Sequence, residues 1–274
     1  MKDCIIVIPV YRIPTANEDK SIKNTLSKLK GYDCTFVIPE NLDEYEGNKG
    51  ASAKLFRDYP SVTHTVVRRN WLGPGIGVQG YNEMMLSKSF YEQFMNYKYV
   101  LICHPDVWIF RNELQEWLDK DYDIVAAPWI ERPRFFSRSY LKTKRPFFYI
   151  YRFLYKRFPS IDKTPQNRKG NIGNGGFSLR KVSSILNVCD KYSEIIKEYI
   201  STEDEREHNE DVFWARVPVE LKYPTQYEAL NFSIDFHPKL CYRLNNCNLP
   251  MACHGYAQRK KRRRFWGRFI DLSE

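Results

Sequence analysis

Residues of chemically reactive types stand at four places in this 274-residue chain. His104-Pro105-Asp106 interrupts the apolar run "KYVLICHPDVWIF" (98–110), and the glycine-rich segment "GNGGF" occupies 173–177. Glu210-Asp211 forms an acidic pair in "HNEDVFW", and His254 lies in "MACHGY". Carboxylate and imidazole ligands together suit Mn²⁺ or a similar ion, and a carboxylate can also act as a general base. These residue types therefore point to metal binding and proton transfer.

Each of these segments also has a purely structural interpretation. Asp106 could begin a turn, and the glycines could form one. The acidic pair could stabilise the positive end of a helix, and a lone histidine such as His254 is usually structural. An unpaired carboxylate at the end of an apolar strand is costly, however, which favours a cationic partner for Asp106. Taken one by one, the segments leave both interpretations open.

The elements that must position these residues alternate along the first half of the chain. Short β-rich runs are followed by segments with apolar residues at helical spacing. Helices are expected between the first two strands, at 80–97 and at 112–120. This alternation predicts an α/β fold, a Rossmann-like domain whose central, mainly parallel sheet is flanked by helices. The strands are expected at 4–10, 34–40, 62–68, 98–104 and 122–129.

The second half is less regular and is predicted to be an elaborated part of the same domain. The glycine-rich segment is expected to be a turn that leads into a strand and then a helix ending near 200. "NFSIDF" (231–236) and "LCYRL" (240–244) have the alternation of short strands. No internal repeat or low-complexity linker divides the chain, so we expect one domain over 1–258.

The net charge of +10 is concentrated in two basic, aromatic-rich segments. Residues 132–169 contain twelve Lys/Arg against one Asp, and "RKKRRRFWGR" (259–268) contains seven more. We therefore expect a basic aromatic insertion at 131–169 and a basic aromatic tail at 259–274 on an acidic body. A solvated charged loop is one interpretation, and nucleic-acid binding is disfavoured because no recognised motif accompanies the segments. The mixture also suits an anionic membrane surface, with predicted contacts through Arg262, Arg263, Arg264, Phe265 and Trp266.

Cysteine usage and hydropathy bear on location. Seven cysteines lack C-x-x-C spacing and lie mostly in apolar segments, which predicts buried free thiols in a reducing compartment. The N-terminal "MKDCIIVIPVYR" is predicted to be a first strand rather than a signal peptide. No apolar run approaches the roughly 18 residues that a membrane span needs. The predicted location is the cytoplasm, with peripheral attachment to the inner face of the cytoplasmic membrane.

The order of the motifs resembles that of type A (GT-A) nucleotide-sugar glycosyltransferases. More closely, the chain resembles a bacterial glycosyltransferase-like family, catalogued as a domain of unknown function and found in surface-polysaccharide gene sets. The resemblance spans roughly 80–266. The matching motifs are Gly80-Tyr81-Asn82, Tyr99 to Phe110, Tyr122 to Trp129, Gly173 to Lys181, Glu210 to Trp214, Leu249 to His254 and Phe265-Trp266.

The resemblance implies transfer of a sugar from a nucleotide diphosphate, usually UDP, to a hydroxyl of a glycan or lipid-linked acceptor. A divalent metal, Mn²⁺ or Mg²⁺, would bind Asp106 and His254. Asp211 would be the catalytic base, oriented by Glu210, and the anomeric centre would invert. The donor would contact Pro9, Val10, Tyr11, His104, Asp106, Asn174, Gly175 and Gly176, the first three because the exit of the first strand lines the same crevice.

Two departures from the family pattern matter. His104 stands where type A enzymes have the first acidic residue of Asp-x-Asp and where the close family has Gln, so Asp106 is the only carboxylate of that motif. "MACHGY" replaces "FGCHAW", which keeps His254 in altered surroundings.

Two other functions remain open from the sequence. A sugar-nucleotide nucleotidyltransferase shares the sheet and the metal chemistry, but it would carry a glycine-rich basic loop after the first strand, and "IPVYRIPTANED" lacks one. A carbohydrate- or nucleic-acid-binding module without catalysis is the non-enzymatic alternative.

Overall fold

In the computed structural model, which describes residues 1–130, 172–202 and 208–272, the strands form a six-stranded and a three-stranded sheet. The predicted insertion at 131–169 lies outside the described residues. The large sheet contains β1 (Lys2–Pro9), β2 (Asp33–Pro39), β3 (Thr63–Val67), β4 (Tyr97–Cys103), β6 (Ile124–Pro128) and β7 (Ile172–Lys181). The small sheet contains β5 (Val107–Ile109), β8 (Ser233–Ile234) and β9 (Ala252–His254).

The strand order β3-β2-β1-β4-β7-β6 decides which residues share an edge of the large sheet. β3, β2, β1 and β4 are parallel, whereas β7 runs antiparallel to both β4 and β6. Val7 is paired with Ile102, and Cys103 with Phe177. The carboxyl ends of β1 and β4 therefore meet the amino-terminal half of β7 at one edge.

Helices cover both faces of this sheet. Alternate residues of β1 enter two different clusters, Cys4, Ile6 and Ile8 on one face and Ile5 and Val7 on the other. Burial on both faces explains why the central strands are almost continuously apolar. The helices are α1 (Ala16–Lys28), α2 (Ala51–Asp58), α3 (Gly77–Leu86), α4 (Lys88–Glu92), α5 (Leu114–Asp119), α6 (Val182–Lys191), α7 (Ser193–Ser201), α8 (Glu210–Arg216), α9 (Gln226–Phe232), α10 (Pro238–Leu244) and α11 (Lys260–Trp266), with a short 3₁₀ helix at Leu42–Glu44.

Several local predictions differ from the structure. "NFSIDF" is a strand only at Ser233–Ile234, and its first two residues end α9. The expected helix at 80–97 is two helices, because the backbone at Ser87 is extended between α3 and α4. "LCYRL" is not a strand but most of α10, which begins with a proline at a position where helices accept one. The "GNGGF" segment is not a turn but part of β7, whose register against β6 shifts between Ala126 and Pro128.

The C-terminal helix α11 is an integral part of the fold rather than a separate tail. Phe265 and Trp266 lie in an apolar cluster with Leu240, Leu244 and Ile270. Trp266 is fully buried, and Arg262 and Phe265 are also buried. The predicted membrane contacts are therefore wrong for Arg262, Phe265 and Trp266, since buried side chains cannot reach a surface. Arg263 and Arg264 are exposed.

All seven cysteines are free, and six of them are buried, as the sequence predicted. Within the described residues, none of the helices combines the length and apolar character that a membrane crossing requires.

Candidate active site

A cleft of about 610 Å³ opens at the carboxyl ends of β1 and β4. Every residue that the sequence suggested for donor binding, metal binding or catalysis lines this cleft. They are Pro9, Val10, Tyr11, His104, Asp106, Asn174, Gly175, Gly176, Glu210, Asp211 and His254. The structure thus brings together segments that are up to 245 positions apart in the chain.

Two short strands bring Asp106 and His254 together. β4 ends at Cys103, and β5 begins at Val107 after a tight turn in which the Val107 amide donates to the His104 carbonyl. Antiparallel pairing of β5 with β9 places Val107 opposite His254. The Gly255 amide then donates to the backbone carbonyl of Asp106, at 3.1 Å. Asp106 Oδ1 consequently lies 3.2 Å from His254 Nε2.

His104, Asp106 and His254 form a cluster that suits a divalent cation. One potential ligand atom from each residue lies within 4.8 Å of the others, and all three side chains are partly accessible from the cleft. Two imidazoles and a carboxylate are ligands that Mn²⁺ accepts, and carboxylate also suits Mg²⁺. His104 is therefore a third candidate ligand, which the sequence suggested only as a donor contact.

The protonation of these groups depends on their neighbours. Burial would raise the pKa of Asp106, but the charge of His254 and the hydrogen bonds that Asp106 accepts from His254 and Gln258 hold that pKa well below the usual range. Burial would lower the pKa of His254, but Asp106 and Asp235 outweigh burial and raise it to about 10. Burial and His254 together lower the pKa of His104 to about 4. His104 is therefore a neutral imidazole, and its Nε2 lies 2.8 Å from the Tyr81 hydroxyl.

Glu210 is held in a buried ion pair. Its Oε2 accepts from Arg180 Nη2 at 2.8 Å, and both side chains are at most 3% exposed. Arg180 also donates to the Tyr91 hydroxyl at 2.6 Å. Burial raises the pKa of Glu210, and Arg180 opposes that shift. The pair fixes the first turn of α8 against β7.

Asp211, the next residue of α8, is in a different state. Within the described part of the chain, its Oδ1 is buried without a hydrogen-bond partner. Burial and the neighbouring Glu210 charge raise the pKa of Asp211 to about 7. A carboxylate with a pKa near neutrality that lines a cleft can accept a proton from a bound hydroxyl.

The glycines of β7 make room for these functional side chains. A Cβ atom at Gly175 would lie 2.0 Å from Glu210 Oε1, and one at Gly176 would lie 2.4 Å from His254 Cε1. A Cβ atom at Gly173 would lie 2.6 Å from the Asp211 carbonyl oxygen. The sequence suggested that a ligand approaches this segment, but here protein side chains also need the space.

Several residues of the site escaped the sequence analysis. Asn82 accepts a hydrogen bond from the Glu210 amide at 3.1 Å and donates to Asn209 at 3.0 Å, so it anchors the start of α8. Tyr81 and Asn82 both line the cleft. The signal for them was present in the motif Gly80-Tyr81-Asn82, which carried no assigned role. Asp235 contacts both Asn174 and His254, and it was not proposed because it belongs to none of the motifs that carry the family resemblance.

Comparison with solved structures identifies the fold. Mouse xyloside xylosyltransferase 1, in its apo form, has a TM-score of 0.52 at 12% identity over 93% of this chain and 98% of that chain. The S. cerevisiae mannosyltransferase Ktr4p in complex with GDP has a TM-score of 0.45 at 12% identity, over 83% of this chain and 68% of that chain. The galactosyltransferase LgtC with donor and acceptor sugar analogues has a TM-score of 0.47 at 13% identity, over 91% and 86%. The fold is that of type A glycosyltransferases, as the sequence predicted, and the xylosyltransferase carries this assignment.

A family model assigns the chain more narrowly. The family described as "Protein of unknown function (DUF5672)" matches residues 66–254, and the chain belongs to this family. The match includes all three residues of the cation cluster as well as Glu210 and Asp211. No curated protein sequence matches the chain.

Proposed function

We propose that this protein is a glycosyltransferase that moves a sugar from a nucleotide-diphosphate donor to a hydroxyl of a glycan or lipid-linked acceptor. One observation carries the proposal. A single cleft at the carboxyl edge of a type A sheet combines a cation-ligand cluster with Asp211, a carboxylate whose pKa is near 7. A cation can stabilise the leaving diphosphate and a base can take the proton of the acceptor hydroxyl, so the two groups together suit sugar transfer from a diphosphate.

The donor would lie along the carboxyl ends of β1 and β4. Pro9, Val10 and Tyr11 would flank the nucleoside, and Tyr11 is 39% exposed, which leaves its ring available to stack on a base. Asn174, Gly175 and Gly176 would border the donor sugar. By resemblance to type A enzymes the nucleotide is UDP.

His104, Asp106 and His254 would hold the divalent cation, Mn²⁺ or Mg²⁺. When bound there, the cation supplies positive charge that stabilises the leaving diphosphate. Only a neutral imidazole can donate a nitrogen lone pair, so His104 is suited to this role as it stands, whereas His254, whose pKa is raised to about 10, would release its proton when the cation binds.

Asp211 would accept the proton of the acceptor hydroxyl. As that proton moves to the Asp211 carboxylate, the acceptor oxygen forms a bond to the anomeric carbon and the bond from that carbon to the diphosphate oxygen breaks. Attack from the face opposite the leaving group inverts the anomeric centre. Burial and the charge of Glu210 keep the pKa of Asp211 high enough for this role, while Glu210 itself is held by Arg180.

The variant Asp211→Asn tests this assignment. Sugar transfer should fall by about 10²- to 10⁴-fold, because an amide cannot accept the proton. Calorimetric affinity for UDP with Mn²⁺ should be unchanged, and thermal stability should rise because a buried charge is removed next to Glu210. Asp3→Asn, an exposed change at the other end of β1, is the control and should leave every quantity unchanged. Normal turnover in Asp211→Asn, or a product of retained configuration, would refute the role of Asp211.

Calorimetric titration with UDP and Mn²⁺ also distinguishes the glycosyltransferase from a nucleic-acid-binding module, whereas the structure bears on the nucleotidyltransferase. A nucleotidyltransferase would need an open phosphate site after β1, but the start of α1 is closed by a capping box between Thr15 and Glu18, and Glu18 also pairs with Arg12 at 2.7 Å. Metal-dependent UDP binding supports the transferase. RNA binding with a steep salt dependence and no UDP binding would instead support a nucleic-acid module.

The proposed setting is bacterial surface-polysaccharide synthesis on the inner face of the cytoplasmic membrane. With Phe265 and Trp266 buried, the contact would be electrostatic, through exposed cations of the C-terminal helix such as Lys260, Lys261, Arg263 and Arg264. The helix begins two residues after Gln258, which lines the cleft and donates to Asp106 at 2.5 Å. Anionic lipid would therefore lie beside the cleft mouth, where a lipid-linked acceptor must arrive.

A further inference from the structure

A buried carboxylate behind the cation cluster links three separate elements. Asp235, which follows β8, is 2% exposed. Its Oδ2 accepts a hydrogen bond from Asn174 of β7 and lies 3.6 Å from Nδ1 of His254 in β9. Its Oδ1 accepts from Nη1 of Arg262 in α11, at 2.7 Å.

The two nitrogens of His254 therefore face different carboxylates. Nε2 faces Asp106 on the cleft side, and Nδ1 faces Asp235 on the buried side. This arrangement leaves Nε2 directed at the cation cluster. Within the described residues Nδ1 makes no hydrogen bond, so Asp235 acts on it through its charge at 3.6 Å. A carboxylate behind the remote nitrogen of a metal-binding histidine favours one orientation of the ring and increases its basicity.

Arg262 makes the buried Asp235 charge tolerable. An unpaired carboxylate at this depth would be costly, and the guanidinium neutralises it within the fold. The chain makes space for Arg262 at Gly255, where a Cβ atom would lie 2.5 Å from Arg262 Nη1 and where φ is +63°. The guanidinium also lies over the Phe236 ring, 4.9 Å from its centroid. Arg262 therefore differs from the exposed cations around it in α11.

We propose that Asp235 and Arg262 are positioning residues that hold His254 and Asn174 in place for the cation and the donor. The proposal rests on the proposed function, because it assigns a purpose to residues behind the same site. It also makes the C-terminal helix, which lies beyond the residues 66–254 matched by the family model, a part of the active centre.

Mn²⁺ binding, measured by electron paramagnetic resonance and by calorimetry with UDP, tests the pair. Asp235→Asn and Arg262→Met should each weaken Mn²⁺ binding by about 10- to 100-fold, the usual effect of losing a partner behind a metal ligand. Arg264→Met removes an exposed cation from the same helix and should leave the affinities for Mn²⁺ and UDP unchanged.

A double variant separates positioning from folding. Each single change leaves one buried charge unpaired and can destabilise the protein, whereas Asp235→Asn with Arg262→Met leaves no net buried charge. The double variant should unfold at a temperature near that of the wild type and still bind Mn²⁺ poorly. Its kcat should fall more than its KM for the acceptor changes, because the acceptor does not contact the pair.

The outcomes distinguish this inference from the proposed function. If the wild type binds Mn²⁺ and UDP and transfers sugar while the folded double variant binds Mn²⁺ equally well, the positioning role is overturned and the transferase stands. If the wild type binds neither Mn²⁺ nor UDP, both are overturned.

Discussion

At the scale of single residues, the site depends on two adjacent carboxylates in opposite states. Glu210 is neutralised by Arg180, whereas Asp211 is left without a hydrogen bond to Oδ1 in the described part of the chain. The positive end of α8 favours negative charge on both, yet burial and the charge of Glu210 outweigh this effect at Asp211. Pairing Glu210 with Arg180 thus leaves Asp211 as the carboxylate of the two that can exchange a proton near neutral pH.

The first prediction concerns pH. With a pKa of about 7, Asp211 is protonated and inactive below that pH, so kcat should rise about tenfold per pH unit up to about pH 7 and then level off. The profile should be measured with saturating donor and acceptor, and UDP affinity should be followed as a control. A profile already flat from about pH 5 would contradict the role of Asp211. Because folding raises this pKa, the ionised form also lowers stability as pH rises through 7.

The second prediction concerns the buried ion pair. Glu210→Gln leaves the Arg180 charge uncompensated, so the free energy of unfolding in urea should fall by about 3–5 kcal/mol. Glu194→Gln removes a carboxylate from an exposed pair with Lys197 and should change it by at most about 0.5 kcal/mol. Equal stability of the two variants would show that the pair is not structural.

Residue types identified some members of the site but not others. Asp106 and His254 could be proposed because a charged or ionisable residue interrupts an apolar context. Arg180 and Arg262 could not, because each lies among other basic or polar residues and looks like a surface cation. Their burial is decided by partners 30 and 27 positions away, which local sequence does not specify.

At the scale of elements, β7 is the strand that organises the site. Its glycines contact functional side chains from α8 and β9, and its antiparallel direction brings them to the edge where β1 and β4 end. Glycine in a strand costs conformational entropy, so three of them in four residues indicate that close approach matters more than strand stability here.

The third prediction uses two of these glycines as controls for each other. Gly176→Ala places a methyl group against the His254 ring and should weaken Mn²⁺ binding with a smaller effect on stability. Gly175→Ala places it against Glu210 and should mainly lower stability, because it disturbs the pair with Arg180. Both variants should be compared by calorimetry and thermal unfolding. Identical effects on both measurements would show that only general strand packing is at stake.

The elements of the first half were predicted well because long apolar runs and helical spacing leave few alternatives there. The α10 segment was misassigned because five residues with alternating polarity fit a strand as well as one turn of a helix. Leu240, Cys241 and Leu244 are the buried positions, a helical spacing that five residues are too few to establish, and Pro238 marks the first turn of the helix. The expected helix at 80–97 was split for a similar reason, since a single extended residue leaves little trace in the pattern.

At the scale of the whole molecule, charge and burial are divided between the two sides of α11. One side contributes Phe265 and Trp266 to the core and Arg262 to the buried pair with Asp235. The other presents exposed basic residues. Composition alone indicated a uniformly basic tail, so the sequence predicted the charge of this helix but not which of its residues face inward.

The fourth prediction concerns that exposed side. Replacing Lys260, Lys261 and Arg264 by Glu should abolish binding to vesicles that contain anionic lipid, since each basic residue near such a surface contributes about 1 kcal/mol. The folded state and the turnover of a water-soluble acceptor should be unchanged. Vesicles of neutral lipid are the control, measured by co-sedimentation. Undiminished binding to anionic vesicles would exclude this side of α11 as the membrane contact.

The position of Arg262 also has a consequence during protein synthesis. Asp106, Asp211 and His254 all leave the ribosome before the guanidinium that neutralises Asp235. A growing chain can therefore contain each reactive group of the cleft while the carboxylate behind it still lacks its counter-charge. We expect such incomplete chains to bind Mn²⁺ poorly and therefore not to act on nucleotide sugars. Measuring Mn²⁺ binding by translation-arrested chains of increasing length would show when this capacity is acquired.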